Sequence, residues 1–200
     1  MKRQLRQDMK ATLADLAVEV AADKSRRACA MLLALKEFRE AGVVMTYLPI
    51  PGELDATPIV LAAWSAGKTV LAPKVDWPAR RILPIPIRSL ESGLVVGRHG
   101  IREPQGIHPW PVGGIDLVLV PALAYDHRGY RLGRGAGLYD RFLAEPGLRA
   151  ATCGLAFGEQ LLQELPAAAH DRPVDMLVTD AEVLRFGRQI PGGTDCPPGH

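Results

Sequence analysis

The stretch from Asp116 to Ala144 limits the fold of this chain more than any other segment. The apolar run Asp116-Leu-Val-Leu-Val-Pro121 reads as a buried strand, and Leu138 to Ala144 reads as a short helix. Between them lies GYRLGRGAGLYDR, Gly129 to Arg141, which packs four glycines and three arginines into thirteen positions. Strand, glycine loop and helix in that order predict an α/β architecture. Gly133, Gly135 and Gly137 can take positive φ and bring backbone N–H groups close to a ligand. A turn of this kind at a helix N-terminus aims donors and the positive end of the helix dipole at an anion. Arg131 and Arg134 add forked guanidinium donors that suit phosphate, and Asp140 offers a hard oxygen to Mg²⁺. A solvated surface turn would account for the glycines alone, but not for the flanking strand, the helix and the Arg/Asp content together. The pattern points to a nucleotide-phosphate site.

Two better-known nucleotide motifs are excluded. The dinucleotide fingerprint G-x-G-x-x-G fails, because Leu138 stands where the third glycine should be. Gly67-Lys68-Thr69 resembles the end of a P-loop, but the first glycine of that motif would fall at Ala62. Gly67 instead ends a helical segment and precedes a strand, which makes it a C-cap with Lys68 as a dipole partner.

The β/α rhythm continues through the chain. Leu5, Met9, Leu13 and Leu16 recur at helical spacing, and Ala28 to Leu35 reads as a second helix with Ser25 near its start. Val43 to Leu48 reads as a strand, Pro58 to Ala66 as a helix capped by Thr57, and Thr69 to Ala72 as the next strand. The prolines of Arg80 to Ile87 keep that segment out of a sheet centre. Cys153 to Phe157 and Met176 to Thr179 read as further strands, with a short helix, Glu159 to Leu165, between them. The expected fold is a three-layer, Rossmann-like, mostly parallel α/β sheet. Residues 1–187 are expected to form one domain and 188–200, rich in Gly and Pro, a disordered tail.

Composition narrows the function. Hydrophobic residues make up 48% of the chain, and 24 Lys and Arg against 22 Asp and Glu leave a net charge of +2. That balance, with only 6% aromatic residues, argues against a nucleic-acid partner. Cys29, Cys153 and Cys196 are far apart and lack metal-ligand spacing, which fits a reducing compartment. No apolar run approaches spanning length. The charged opening MKRQLRQDMK has no apolar core behind it, unlike a secretory signal. A cytoplasmic monomer without membrane attachment is expected.

Three more clusters carry polar chemistry. In Tyr47-Leu-Pro-Ile-Pro-Gly-Glu53-Leu-Asp55 two acids stand just past a strand end, where either could accept from an N–H-rich heterocycle. Solvated loop acids are the plainer alternative. Lys2, Arg3 and Arg6 form a basic cluster that could equally be a solvated helix face. In His170-Asp171-Arg172-Pro173-Val174-Asp175, the last residue is the better metal candidate.

Taken together, DLVLVPALAYDHRGYRLGRGAGLYDR, YLPIPGELDATP, GIREPQG and HDRPVDMLVTD resemble the 5-formyltetrahydrofolate cyclo-ligase family, from Lys2 to about Phe186. The resemblance implies a fold related to sugar-phosphate isomerase and CoA-transferase domains. It also implies ATP- and Mg²⁺-dependent closure of 5-formyltetrahydrofolate to 5,10-methenyltetrahydrofolate, with ADP and phosphate released. Lys2, Arg3, Gln4, Leu5 and Arg6 match the family's N-terminal ATP segment. Arg131, Leu132, Gly133, Arg134, Gly135, Ala136, Gly137, Leu138 and Tyr139 match its main ATP loop, of which Arg134 to Leu138 also border the folate. Arg131 and Arg134 are the implied catalytic groups, and Asp140 and Asp175 the implied Mg²⁺ ligands. Glu53 matches a pterin-binding acid. Pro58 stands where some members carry a second substrate-contacting acid. Ala136 replaces a lysine, and Leu138 an aromatic, found in some members. A relative with the same fold but no ATP requirement, or a folate or nucleotide binder without turnover, are the competing classes.

Overall fold

The structure, a computed structural model, describes residues 1–187. The expected disordered tail, 188–200, and Cys196 lie outside the described residues. Five α-helices are formed: α1 Lys2–Ala14, α2 Val18–Ala34, α3 Lys36–Glu40, α4 Thr57–Ser65 and α5 Leu138–Leu143. The strands are β1 Val43–Met45, β2 Thr69–Asp76, β3 Arg81–Ile87, β4 Leu94–Val96, β5 Arg102–Pro104, β6 Leu117–Val120, β7 Ala124–Asp126, β8 Arg131–Leu132, β9 Ala151–Leu155, β10 Leu161–Leu162, β11 Met176–Val178 and β12 Val183–Arg185.

Seven of these strands make one sheet in the order β12-β11-β9-β6-β1-β2-β3. Its interior pairs are parallel, while β3 and β12 close the two edges antiparallel. The mostly parallel expectation holds. The proline-bearing Arg81–Ile87 is an edge strand, where a missing N–H costs no ladder bond.

The alternation of side chains along β6 builds both cores. Leu117 and Leu119 pack with Leu32, Ile59 and Val60 from the helices, whereas Val118 and Val120 pack with Phe142 and Tyr125. All four strand residues are buried, as in a strand covered on both faces. Helices α1, α2, α3 and α4 contribute to the first core and α5 to the second, while the β7–β8 hairpin serves both, Ala124 and Leu132 in the first and Tyr125 in the second.

Some local expectations are corrected. The second helix starts at Val18, so Ser25 lies inside it, buried, where its Oγ accepts from the Asp55 amide at 3.2 Å. The N-cap position of α4 is Ala56 and not Thr57; Asp55 Oδ1 instead accepts from the Thr57 amide at 2.9 Å. Glu159 to Leu165 is not a helix. Gln160 accepts from the Phe157 amide at 2.8 Å and donates to Ala122 O at 2.9 Å, which ends a 3-10 turn. Leu161–Leu162 then pairs with β7. Gly67 does take positive φ, at 71°. Lys68, however, donates to Arg39 O and Ala41 O at 2.9 and 2.6 Å, so it serves the end of α3.

Candidate active site

Strands β1 and β6 are parallel neighbours, so the loops that follow them leave the same edge of the sheet. One carries Glu53 and the other leads to the glycine loop. The chain after β6 first makes the β7–β8 hairpin. Its turn is set by buried Asp126, which accepts from the amides of Arg128 at 2.9 Å and Tyr130 at 3.0 Å. Sequence reading gave Asp126 no role, although an Asp two residues before the bonded amide is an Asx-turn signal. Gly135 and Gly137 take positive φ, 116° and 64°, and Gly137 leads directly into α5. Gly133 does not adopt that conformation. Because α5 is only six residues long, its dipole is short, and the charge at the loop comes chiefly from arginines.

Those arginines have different surroundings. Arg131 is held on two sides: Nη2 donates to Asp140 Oδ1 at 2.7 Å, and Nη1 donates to Arg172 O. Its side chain is only 4% exposed. Arg134 is 41% exposed and is held by one residue, donating from Nη2 and Nε to Glu53 Oε1 at 3.0 and 3.2 Å. Glu53 is anchored from behind by the Ile50 amide at 3.3 Å. Burial raises its pKa against the opposing pull of Arg134. Tyr47 Oη donates to Leu54 O at 2.9 Å and fastens the same loop.

Beside this pair lies Tyr139, whose hydroxyl is buried and has no hydrogen-bond partner among the described residues. Burial, with the nearby Glu53 charge, raises its pKa despite Arg131. Buried hydroxyls normally find partners, so this one is a candidate donor to a bound ligand.

The N-terminal helix closes the other side. Arg6 Nε donates to Gly133 O at 2.9 Å, and Lys2 Nζ pairs with Asp171 Oδ2 at 2.7 Å. Arg3 and Gln4 face outward, Gln4 bonding Asp8 along the helix at 2.8 Å, and Leu5 packs on the core. Asp171 belongs to the segment that returns the chain from β10 toward the start of β11. The same segment offers Arg172 O to Arg131, and the Arg172 amide to Asp140 Oδ1 at 3.3 Å. Sequence reading singled out this motif but gave neither Asp171 nor Arg172 a task. Asp171 is lowered in pKa: burial opposes this, and the bond from Lys2 prevails.

Other expected residues sit apart. Asp175 lies at the amino end of β11, where Oδ2 accepts from the Thr152 amide at 2.8 Å and from Thr152 Oγ1 at 2.9 Å. It shares no hydrogen-bond partner with Asp140. A cleft of about 520 Å³ is lined there by Thr152, Pro173 and Asp175, and by no residue of the glycine loop. Among the described residues no group of three or more His, Cys, Asp or Glu is placed to hold a metal ion. Pro58 is in the first turn of α4 and has no polar side-chain atom. Leu138 packs on the second core, while Ala136 is exposed. Glu103 of GIREPQG is buried on β5. Buried Cys29 has its thiol pushed up to about 12 by desolvation and the Asp55 charge, and so is no nucleophile at neutral pH.

The fold and site define a three-layer α/β protein with a glycine- and arginine-rich loop set against an acid-bearing loop. The profile of the 5-formyltetrahydrofolate cyclo-ligase family matches residues 1–180, and the chain belongs to that family. A 5-formyltetrahydrofolate cyclo-ligase of Mycolicibacterium smegmatis is 36% identical over 142 residues, covering 68% of this chain and 72% of the relative. That of Escherichia coli K12 is 33% identical over 150 residues, covering 73% and 82%. The NMR structure of Aquifex aeolicus 5,10-methenyltetrahydrofolate synthetase superposes with a TM-score of 0.81 at 34% identity, covering 94% of this chain and 95% of that one.

Proposed function

We infer that this protein uses ATP to close 5-formyltetrahydrofolate to 5,10-methenyltetrahydrofolate, releasing ADP and phosphate. Family membership makes it a ligase that converts the one folate to the other. The observation that carries the assignment to these residues is the Arg134–Glu53 pair, which joins the glycine loop to the acid-bearing loop across 81 residues of sequence. Glu53 accepts from the N–H edge of the pterin, and Arg134, once replaced there, turns to the triphosphate. Lys2 and Arg6, four residues apart on one face of α1, face the same triphosphate. Arg131 holds Asp140 and the return segment in place.

An N-formyl group is a poor electrophile with a poor leaving oxygen. Transfer of the γ-phosphoryl to that oxygen forms an O–P bond, breaks the Pβ–O–Pγ linkage and frees ADP. N10 then forms its bond to the activated carbon, the C–O bond breaks, and phosphate leaves as N10 loses its proton. Such transfer depends on positioning and charge stabilisation, which Arg134, the loop donors and the Tyr139 hydroxyl supply. A Ser-His-Asp nucleophile is not required.

The donor set suits one hard cation shared with the triphosphate, since Mg²⁺ is commonly held by one or two carboxylates, waters and phosphates. Asp140 has an oxygen free of hydrogen bonds among the described residues, and we assign it as the ligand; Asp175, turned to Thr152 at the amino end of β11, is left out of this set. Bound there, Mg²⁺ would neutralise charge on the phosphates. The working unit proposed is a monomer. Unpaired, buried Cys29 and Cys153 support a cytoplasmic location, and no helix among the described residues is long and apolar enough to cross a membrane.

Absorbance of the methenyl product after mixing protein, Mg·ATP and 5-formyltetrahydrofolate tests the reading. Product is expected only with all components present. Full activity in excess EDTA would remove the metal assignment, and full activity without ATP would remove the whole reading.

A further inference from the structure

Arg141 closes the glycine-rich stretch and has no part in the roles above. It follows Asp140 on α5, and its guanidinium joins two distant pieces of backbone. Nε donates to Arg80 O at 2.7 Å, and Nη2 donates to Ala136 O at 2.7 Å. Arg80 lies in the turn between β2 and β3, and its amide donates to Trp77 O at 3.2 Å. It is the one non-glycine residue among those described with positive φ, at 52°. A side chain held in that region is strained, and such strain tends to collect where function fixes the backbone. Gly137 makes room for the bridge: a Cβ built there would come within 3.3 Å of Arg141 Nη1.

A loop that receives phosphate must keep its carbonyl oxygens from facing the anion, because oxygen and phosphate repel. Here two of them are capped by cations. Arg6 holds Gly133 O, and Arg141 holds Ala136 O. We propose that Arg141 is a positioning residue: it ties the glycine loop to the Arg80 carbonyl, so that the loop is already shaped for the triphosphate before ATP arrives. The proposal rests on the reading that this loop binds ATP. Preformed donors avoid the ordering cost of binding, so losing the tie weakens ATP affinity and leaves the fold alone. Both bonds are exposed, and exposed polar contacts add little to folding stability.

Binding of Mg·ATP by calorimetry, steady-state kinetics and a melting curve test this on three variants. Arg141→Lys keeps the charge, but a single ammonium cannot reproduce the planar fork that spans both carbonyls. Its ATP Kd and ATP KM should rise about tenfold, equivalent to ~1.4 kcal/mol, with folate KM, kcat and melting temperature nearly unchanged. Arg80→Gly retains positive φ and the carbonyl, and should bind ATP as the wild type does. Arg80→Val disfavours that φ, displaces the carbonyl, and should reproduce the Arg141→Lys defect. Normal ATP binding by Arg141→Lys would overturn the proposal. Equal losses for ATP and folate together with a lower melting point would reduce Arg141 to a structural contact and overturn it too. Weak binding by Arg80→Gly would assign the effect to the Arg80 side chain, against the proposal. Wild-type protein that fails to bind Mg·ATP would instead remove the underlying reading of the loop, an outcome visible before any variant is made.

Discussion

Arg131 and Arg134 stand three positions apart in one loop, yet the fold treats them as opposites. Arg131 is 4% exposed and bound by Asp140 and a backbone carbonyl; Arg134 is 41% exposed and, among the described residues, bound by Glu53 alone. One guanidinium is part of the framework. The other, on the proposed function, exchanges partners when a ligand takes its place on Glu53. On the function proposed above, Arg131 is a fixed charge that sets the shape of the loop and Arg134 a releasable one that meets substrate.

The largest expected effect separates the two directly. Arg131→Ala removes the partner of the Arg172 carbonyl and, among the described residues, leaves Asp140 with the Arg172 amide alone. It should cost about 2–3 kcal/mol of stability, or roughly 5–10 °C in melting temperature, and abolish most activity. Arg134→Ala should melt within about 1 kcal/mol of the wild type, yet lose on the order of a hundredfold in kcat, as when one transition-state donor is removed. If both variants melt alike, the contrast between a fixed and a releasable arginine is wrong.

A smaller effect is expected at the residue Arg134 would leave. Glu53→Gln should raise folate KM more than ATP KM, by about 1.5–3 kcal/mol of lost charged hydrogen bonding. The same variant has a pH signature. Glu53 has its pKa raised by burial despite Arg134, so the unfolded chain releases this proton at lower pH than the folded one. Stability is therefore fully present below the unfolded pKa and falls as pH rises through the folded value. Glu53→Gln should flatten that part of the stability–pH curve; an unchanged slope would show that Glu53 is not the group responsible.

Tyr139→Phe should be gentler still. Removing a buried hydroxyl that has no partner among the described residues should leave stability unaltered or raise it by up to about 1 kcal/mol, while ligand affinity falls roughly fivefold, as for one neutral hydrogen bond. A marked drop in melting temperature would mean that the hydroxyl has a structural partner and is no donor held for a ligand.

The parts of the site legible in the sequence are local ones. The run Leu117–Val120, the glycine loop and the short helix after it follow from apolar patterning and from residues tolerant of positive φ. The prolines and glycine between Leu48 and Glu53 mark that acid as lying beyond a strand end, although β1 itself already ends at Met45. The contrast between Arg131 and Arg134 was not legible, because it depends on partners 41 and 81 residues away. Lys2 and Asp171 are likewise 169 residues apart, and only the return of the chain between parallel β9 and β11 brings them together. The mistaken helix at Glu159 to Leu165 has a related cause: Gln160 spends its amide on the backbone of Phe157 and Ala122, which propensity cannot foresee.

The central chemical claim is that the arginine loop delivers the γ-phosphoryl group to the formyl oxygen. Single turnover with 5-formyltetrahydrofolate carrying ¹⁸O in the formyl group tests it most directly, by mass analysis of the released phosphate. The label should appear in inorganic phosphate, at one atom per methenyl product formed. Label recovered in water, with unlabelled phosphate, would show that ATP cleavage and ring closure are not joined through that oxygen and would contradict the account.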